Sequence, residues 1–322
     1  MAEEKPLVLC ITGPTASGKT EVAVDVCKAL HGEIISMDSM QIYQKLSIGT
    51  AIPSCREMRG VPHHMLSIVP PDSFFSVFEY QQQARAIMRQ ILQKGKLPVF
   101  CGGTGLYLQA ITHPLSFTNA GTTDAIREKL ERESNLPNGR ELLFERLAKV
   151  DSQTAERLHP NNARRVIRAL EVFESTGRPM SAQTNDWDNE AEEDFLIFAL
   201  RWPREALYER IDLRVDRMIA EGLIGEVEEI LRSGVTRQAQ SMQAIGYREI
   251  VAMLSGESVK EEAIDLIKRN TRRYAKRQLT WFRRVKNIQW IDRSDFTDSQ
   301  SVADWIVHKV DEHRKRLLGT TT

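Results

Sequence analysis

The sequence predicts an α/β fold in which a parallel sheet flanked by helices is interrupted by an all-helical segment. Apolar runs of strand length alternate with helical patterns in residues 1–114 and again from residue 195 onward, which is typical of a parallel sheet. In residues 115–194 strand patterns disappear and charged helical patterns take their place. We therefore predict a core domain of residues 1–114 and 195–322 and a helical insertion domain of residues 115–194.

Size and composition are those of an ordinary globular protein. The chain has 322 residues, of which 41% are hydrophobic and 27% charged, and this length suggests about two domains. The formal net charge is zero, so affinity for nucleic acid must come from local positive charge. The sequence shows neither the pattern of a signal peptide nor an apolar run of membrane-spanning length. We expect a cytoplasmic monomer without membrane association and without an obligate protein partner.

The cysteines give a similar indication about the compartment. Cys10, Cys27, Cys55 and Cys101 are far apart in the chain, and no C-x-x-C spacing occurs. We therefore expect four small, buried and reduced side chains in a reducing compartment.

A phosphate-binding loop is predicted near the N-terminus. Residues 7–12 form an apolar run that predicts a buried strand, and helical spacing of apolar residues begins at Val22. The segment between them fits the G-x-x-x-x-G-K-[ST] pattern with Gly13, Pro14, Thr15, Ala16, Ser17, Gly18, Lys19 and Thr20. The backbone N–H groups, the helix N-terminus and Lys19 suit phosphate, and Thr20 offers a hydroxyl to Mg²⁺. The motif predicts a polyphosphate ligand with Mg²⁺, without specifying ATP or a kinase reaction.

The next strand places a carboxylate beside this loop. Residues 33–36 predict a short strand, and Asp38 follows it. Because ligands bind at the carboxyl ends of parallel strands, Asp38 is a candidate for chemistry. A turn or helix cap is the alternative role, and a common one for Asp.

A third strand, predicted over residues 97–101, ends in glycines rather than in an acid. It runs into Gly102, Gly103, Thr104 and Gly105 before a helix from residue 106. A hydrolytic P-loop enzyme usually carries an acidic residue at such a position. The glycines indicate either close backbone approach to a ligand or a tight turn, and Thr104 supplies a lone hydroxyl.

The remaining core elements follow from hydrophobic periodicity. We predict helices over residues 79–93, 204–220, 223–232 and 242–254, a strand over 195–200 and an edge strand over 288–292. Residues 44–78 look irregular, and we interpret His63 and His64 as structural because neighbours in a strand point to opposite sides. In the insertion, helices are predicted over 124–133, 140–150 and 162–175, and residues 186–194 form an acidic return loop.

A basic stripe marks the C-terminal part of the chain. Residues 268–286 carry nine positive charges and no acid, and basic pairs recur every four residues with Tyr274, Trp281 and Phe282 between them. On a helix this spacing gives one continuous stripe. A basic stripe with aromatic residues is typical of contact with nucleic-acid phosphates. The alternative is a solvated helix face whose charges pair with acids elsewhere and whose aromatic residues belong to the core.

Several motifs, taken in order, resemble those of the bacterial tRNA dimethylallyltransferases. They lie at residues 13–20, 38–43, 49–51, 102–104, 162–171, 243–247 and 275–281. The loop alone is shared with many NTPases, whereas its combination with the last three motifs is specific. The motifs span nearly the whole chain, although residues 114–123 depart from the family pattern.

The resemblance implies a P-loop NTPase-like core and a reaction. A dimethylallyl group passes from dimethylallyl diphosphate to the N6 amine of adenosine 37, 3′ of the anticodon of tRNA, and diphosphate is released. It implies that Lys19 and the loop hold the diphosphate, that Asp38 is the general base, that Thr104 contacts the adenine and that Arg214 is a second clamp on the diphosphate. The implied tRNA contacts are Asp38, Ser39, Met40, Gln41, Thr104, Arg127, Asn161, Asn162, Ala163, Arg164, Arg165, Met242, Gln243, Ala244, Ile245, Gly246, Tyr247, Tyr274, Lys276, Arg277 and Trp281.

Two other functions fit parts of the sequence. A P-loop kinase of a small metabolite or nucleoside would use the phosphate loop and a helical insertion as a lid, but it leaves the basic stripe unexplained. A non-catalytic nucleic-acid-binding NTPase would explain the stripe, but the sequence lacks a clear Walker-B acid.

Overall fold

The computed structural model describes residues 5–113, 124–182 and 191–317. The chain divides into two compact units, residues 1–112 with 191–322 and residues 113–190. The atypical segment 114–123 and most of the acidic loop, residues 186–190, lie outside the described residues. No described helix is long and apolar enough to cross a membrane.

A six-stranded sheet forms the centre of the larger unit. Every pairing is parallel, and the strand order is β3-β2-β4-β1-β5-β6, which confirms the predicted fold class. The strands are β1 Leu7–Thr12, β2 Gly32–Ser36, β3 His63–His64, β4 Leu97–Gly102, β5 Asp194–Arg201 and β6 Ile288–Asp292. The prediction of an edge strand over residues 288–292 is confirmed. Thr12 pairs with Gly102, and Ser36 pairs with Cys101, so the segments after β1, β2 and β4 leave the sheet at one edge.

Helices cover both faces of this sheet. They are α1 Lys19–Leu30, α2 Cys55–Met58, α3 Val77–Gln93, α4 Gly105–Thr112, α9 Arg204–Ala220, α10 Leu223–Arg232, α11 Tyr247–Leu254, α12 Lys260–Phe282 and α13 Ser299–Leu317. Along β1, Leu9 and Ile11 pack in one hydrophobic cluster with α1 and α13, whereas Val8 and Cys10 pack in another with α3, α4, α10 and α11. Burial on both faces explains why β1 is apolar at successive positions from Leu7 to Ile11 rather than alternating.

The predicted helix over residues 242–254 is wrong in its first half. A 3₁₀ turn occupies Ser241–Gln243, and α11 begins only at Tyr247. Gly246 has φ +98° and its amide donates to the Glu249 carboxylate over 2.8 Å. The apolar spacing continues through this break, so periodicity alone does not reveal it.

The segment predicted to be irregular contains two short elements. Helix α2 starts from a capping box made by Ser54 and Glu57. His64 lies 2.8 Å from the Glu33 carboxylate, and His63 lies 2.8 Å from the Val61 carbonyl. Both rings are thus engaged within the fold, and no group of three or more His, Cys, Asp or Glu residues in the described part of the chain has the geometry of a metal site.

All four cysteines are reduced, but one departs from the prediction. Cys10, Cys27 and Cys101 are buried, whereas Cys55 is exposed. Cys55 opens the four-residue helix α2, which buries none of its side chains, so the prediction of four buried thiols is wrong at this position.

The smaller unit contains only helices in its described part. They are α5 Asp124–Ser134, α6 Gly139–Val150, α7 Ser152–Ala155 and α8 Ala163–Thr176. Leu130, Leu143, Leu147, Val166 and Leu170 form a separate hydrophobic core. The three helices predicted here are confirmed, whereas the short α7 and a 3₁₀ turn at Met180–Ala182 were not predicted.

Candidate active site

The phosphate loop adopts a conformation that few sequences allow. Gly13, Ala16 and Gly18 all have positive φ, at +142°, +63° and +87°. A Cβ at Gly13 would lie 2.7 Å from the Leu200 carbonyl oxygen of β5. Left-handed backbone is costly for most residues and favours glycine. The loop therefore curls over the carboxyl end of β1 with the first turn of α1 at its far end.

Side chains from the segment after β5 hold this loop from outside. The Trp202 indole donates to the Ser17 carbonyl over 3.2 Å, and Nε of Arg210 donates to the Ala16 carbonyl over 2.9 Å. The Arg210 guanidinium also stacks over the Trp202 ring at 4.8 Å. These two contacts engage carbonyl oxygens of the loop and do not use its backbone N–H groups. Sequence analysis missed both residues because their contacts are far apart in the chain.

Two half-buried cations, Lys19 and Arg214, lie at the phosphate loop near a single carboxylate, that of Asp38. Burial lowers the pKa of Lys19; nearby Arg214 also lowers it, while Cys101 and Asp38 oppose this effect. Burial also lowers the pKa of Arg214, again opposed by Asp38. Neither cation forms an ion pair with a described residue. One carboxylate facing two desolvated cations leaves an excess of positive charge, so the arrangement favours an anionic ligand.

The geometry of Asp38 is compatible with both roles considered for it. Its Oδ1 accepts the Met40 amide over 2.9 Å and the Gln41 amide over 3.4 Å, as a turn carboxylate does. Oδ2 has no hydrogen-bond partner among the described residues. The turn thus orients the carboxylate, and the second oxygen is available to accept a proton.

Thr104 is locked to the Asp38 turn. Its hydroxyl oxygen accepts the Ser39 amide over 3.1 Å, and its own amide donates to the Met37 carbonyl over 3.1 Å. A Cβ at Gly102 would lie 2.2 Å from that same Met37 carbonyl oxygen. The candidate base and the candidate adenine contact therefore belong to one rigid unit formed by the ends of β2 and β4.

Helix α12 packs directly on the phosphate loop, which explains the other glycines after β4. A Cβ at Gly103 would lie 2.2 Å from Nε2 of Gln278, and one at Gly105 would lie 2.2 Å from Cδ1 of Trp281. The sequence left open whether these glycines serve a ligand or a tight turn. In the structure they make room for α12 and for the Met37 backbone.

Tyr274 belongs to the site interior rather than to an outer surface. Burial raises the pKa of its hydroxyl, which contacts the side chains of Thr104 and Gln278 and is influenced by the charge of Asp38. Tyr274 and Gln278 are four residues apart and lie between basic pairs, so they share the inward face of α12. That spacing is the signal that could have identified them.

Some cations of the basic stripe are paired with acids, and others form no ion pair with a described residue. Lys268 pairs with Asp216 at 2.6 Å, and Arg272 pairs with Asp212, both on α9. Lys276 and Arg277 are exposed and have no ion pair with a described residue. With Thr280, Trp281 and Arg284 they line an open cavity of about 210 Å³. The alternative of paired surface charges thus holds for Lys268 and Arg272, whereas Lys276 and Arg277 are available for contact with phosphate.

We expect Arg277→Ala to flatten the salt dependence of tRNA binding. If Arg277 contacts a tRNA phosphate, its loss lowers the log–log slope by about 0.7–0.9. Arg272→Ala is the matched control on the same helix; because Arg272 is already paired with Asp212, the slope should not change. Titrations of tRNA at several salt concentrations measure both slopes, and identical slopes for Arg277→Ala and the wild type would refute a tRNA contact here.

Most of the segment 242–247, predicted as a tRNA surface, is interior. Met242, Ala244, Gly246 and Tyr247 are buried, whereas Gln243 is exposed and Ile245 half-buried. Side chains packed in the core cannot present themselves to tRNA, so the prediction is corrected for the buried residues. For Gln243 and Ile245 it stays a prediction.

The Tyr247 hydroxyl takes part in a brace centred on Glu226 of α10. The Glu226 carboxylate accepts the amides of Ser47 and Ile48 over 2.9 and 2.8 Å, that of Gly49 over 3.2 Å, and the Tyr247 hydroxyl over 2.5 Å. A Cβ at Gly49 would lie 2.5 Å from the Tyr247 ring. Sequence analysis missed Glu226. This brace fixes residues 47–49 against α10 and α11.

Gln41 connects this braced loop to the Asp38 turn. Its Nε2 donates to the carbonyls of Thr50 and Ala51, each over 3.1 Å, and its Oε1 accepts the Ser36 hydroxyl over 3.0 Å. The side-chain amide is therefore used inside the fold. Any tRNA contact by Gln41 would have to come from other atoms, whereas Ser39 and Met40 are half-buried at the site.

The candidates in the smaller unit cluster at the start of α8. Asn161, Asn162, Arg164 and Arg165 are exposed and Ala163 is half-buried. Neither arginine forms an ion pair with a described residue. On α5, Arg127 pairs with Glu131 over 3.1 Å. Contact between these residues and tRNA stays a prediction.

Comparisons with known proteins identify the family of this chain. The family model described as IPP transferase matches residues 41–285, and one described as isopentenyl transferase matches residues 6–67. The chain is 48% identical to a tRNA dimethylallyltransferase of Pelotomaculum thermopropionicum, covering 94% of this chain and 96% of the relative. It is 44% identical to one of Bacillus cytotoxicus, covering 96% and 97%.

Solved structures show the same relationship. A full-length tRNA isopentenylpyrophosphate transferase of Bacillus halodurans is 42% identical, with a TM-score of 0.72 over 97% of this chain and 99% of that one. A eukaryotic dimethylallyltransferase acting on tRNA is 26% identical, with a TM-score of 0.81 over 98% of this chain and 80% of that one. On these matches, the chain belongs to the tRNA dimethylallyltransferase family.

Proposed function

We propose that the protein transfers the dimethylallyl group of dimethylallyl diphosphate to the N6 amine of adenosine 37 of tRNA, 3′ of the anticodon. One observation carries the proposal beyond family membership. Lys19 and Arg214, two half-buried cations that form no ion pair with a described residue, lie near the single carboxylate of Asp38 at the phosphate loop. A site with two cations and one carboxylate suits a reaction that releases diphosphate and also a proton, which the carboxylate accepts.

The reaction balances with these residues. A bond forms between N6 and the first carbon of the prenyl group, and the bond from that carbon to the diphosphate oxygen breaks. The amine proton passes to Oδ2 of Asp38, and the electron pair leaves with diphosphate. Lys19, Arg214 and the loop amides stabilise the negative charge that grows on the leaving group.

The acceptor reaches the site from the tRNA. An adenine stacked in an anticodon loop must turn out of the stack before its amine can meet the donor. The Thr104 hydroxyl, fixed by the Ser39 amide, lies beside the candidate base and orients the adenine. The free cations Lys276 and Arg277 hold the phosphates around the anticodon stem-loop. The protein acts in this proposal as a monomer in the cytoplasm, because one chain carries the donor and acceptor residues and tRNA is a cytoplasmic substrate.

Mg²⁺ fits the residues present. The ion prefers one or two protein oxygens completed by phosphate and water. Thr20 would supply a hydroxyl from the first turn of α1, where it contacts the Cys101 thiol, and phosphate and water would complete the coordination. When bound, Mg²⁺ neutralises charge on the diphosphate.

A substrate test separates this function from the alternatives. The protein is incubated with unmodified tRNA and labelled dimethylallyl diphosphate, and in parallel with ATP and candidate metabolites or nucleosides. We expect label in tRNA together with free diphosphate, and no phosphoryl transfer. Phosphorylation of a small molecule without prenylation of tRNA would favour the kinase, and ATP hydrolysis alone would favour a nucleic-acid-binding NTPase.

We expect Lys19→Ala to weaken the binding of dimethylallyl diphosphate and to leave the affinity for tRNA unchanged. A charged hydrogen bond contributes about 1.5–3 kcal/mol, which corresponds to about 10- to 150-fold in affinity for dimethylallyl diphosphate. Lys28→Ala, an exposed lysine at the other end of α1, is the control and should change neither affinity. Donor and tRNA binding are measured separately at equilibrium. Equal weakening of both ligands would contradict the assignment of Lys19 to the diphosphate.

A further inference from the structure

We infer that Gln278 is a specificity-determining residue that restricts the phosphate loop to a diphosphate and excludes a nucleoside triphosphate. The inference rests on the proposed function only in taking diphosphate as the ligand. It concerns a side chain of α12 that reaches the loop from a position 263 residues further along the chain.

The Gln278 amide group occupies a donor of the phosphate loop. Its Oε1 accepts the Thr15 amide over 2.9 Å, and its Nε2 donates to the Gly103 carbonyl over 2.8 Å. The reversed orientation would place N–H against N–H and carbonyl against carbonyl, so the contacts on both sides fix which atom faces the loop. The backbone N–H of Thr15, which a phosphate loop would offer to a ligand, therefore donates to the neutral Oε1 of Gln278 instead.

The approach of Gln278 to the loop is built into the fold. Gln278 is 5% exposed, and a Cβ at Gly103 would collide with its Nε2. One turn earlier on α12, Ala275 is fully buried in a hydrophobic cluster with Ala16 of the loop and Leu207 of α9. These contacts fix the helix backbone, and with it the side chain that closes the loop.

The position of Gln278 limits the length of the phosphate chain. Lys19 and Thr20 lie at the helix end of the loop, where first-turn amides have no partner within the helix. Thr15 lies at the other end. With a diphosphate at the helix end, a third phosphate would extend toward Thr15. There it would have to displace Gln278 and leave the Gly103 carbonyl without its hydrogen-bond donor. Leaving a buried polar group unpaired is what allows a site to reject a close analogue strongly.

Inorganic diphosphate and tripolyphosphate test this directly as competitors of dimethylallyl diphosphate. In a phosphate loop that no side chain closes, tripolyphosphate should bind more tightly than diphosphate because it carries more negative charge. We expect the wild type to prefer diphosphate, and Gln278→Ala to reduce that preference by about tenfold or more, because both the Thr15 amide and the space become available. Thr271→Ala is the control: its hydroxyl donates to the Ile267 carbonyl of the same helix, so the preference should not change.

The possible results distinguish a failure of the inference from a failure of the proposed function. A wild type that binds tripolyphosphate as tightly as diphosphate overturns the inference without any variant, as does a folded Gln278→Ala with the wild-type preference. A wild type that binds neither dimethylallyl diphosphate nor diphosphate overturns the proposed function as well. Thermal melts check folding, and if Gln278→Ala does not fold, Gln278→Asn replaces it, since its amide is too short to bridge Thr15 and Gly103. If Gln278 had only a structural role, its replacement would weaken the binding of diphosphate and of tripolyphosphate equally.

Discussion

Asp38→Ala should reduce the rate of prenyl transfer by about 10²–10⁴-fold, the usual contribution of a general base. The reason is geometric, since Oδ2 of Asp38 has no partner among the described residues and lies beside Lys19, Arg214 and Thr104 at the loop. Affinity for tRNA should stay largely intact, because the free cations Lys276 and Arg277 are elsewhere on α12. Single-turnover kinetics at saturating substrates measure the chemical step apart from binding.

Asp38→Asn distinguishes proton transfer from turn capping. Asn keeps a side-chain oxygen that can accept the Met40 and Gln41 amides, and Asn is a good turn residue. It cannot take up the amine proton. We therefore expect Asn to be about as slow as Ala. Recovery of most of the activity in Asp38→Asn, or a loss under about threefold in Asp38→Ala, would show that the carboxylate only shapes the turn.

The elements and residues that the sequence predicts well depend on local information. The strand, loop and helix of residues 7–30 follow from a short apolar run, a spaced glycine motif and helical periodicity. Asp38 follows from topology, because the carboxyl ends of parallel strands share an edge. In each case the relevant physics acts over a few residues or is set by the fold class.

The contacts that complete the site join distant parts of the chain. Gln278 meets Thr15 and Gly103, Arg210 meets Ala16, and Glu226 meets residues 47–49. Single-sequence periodicity indicates that α12 has an inward face, but the partner of that face is set by tertiary packing. For this reason the sequence did not reveal that Tyr274 contacts Thr104 and Gln278; its contact with tRNA stays a prediction.

The segment 242–247 shows a related limit. A motif shared with a family indicates that residues matter, but it does not distinguish contact with a substrate from support of the fold. Here Tyr247 is fully buried, and its hydroxyl reaches the Glu226 carboxylate. The role of Tyr247 is thus to hold the loop that leads to the Asp38 turn, one step removed from the substrate.

The Glu226 brace provides the largest expected effect on stability. Removing the carboxylate in Glu226→Ala leaves three backbone amides and the Tyr247 hydroxyl without their acceptor. An unsatisfied buried donor costs about 1–3 kcal/mol, and because Glu226 is half-exposed, water replaces part of the loss. We expect the free energy of unfolding to fall by about 2–4 kcal/mol in a urea titration. The released loop should also loosen the Asp38 turn through Gln41 and raise KM for tRNA.

Two further variants make this expectation specific. Glu229→Ala removes an exposed carboxylate from the same helix and should change the unfolding free energy by less than about 0.5 kcal/mol. Glu226→Gln keeps the size but directs an NH₂ group at N–H donors, so it should be nearly as destabilising as Ala. If Glu226→Ala were no more destabilising than Glu229→Ala, or if Glu226→Gln matched the wild type, the charged carboxylate would not be what fixes residues 47–49 beside the active site.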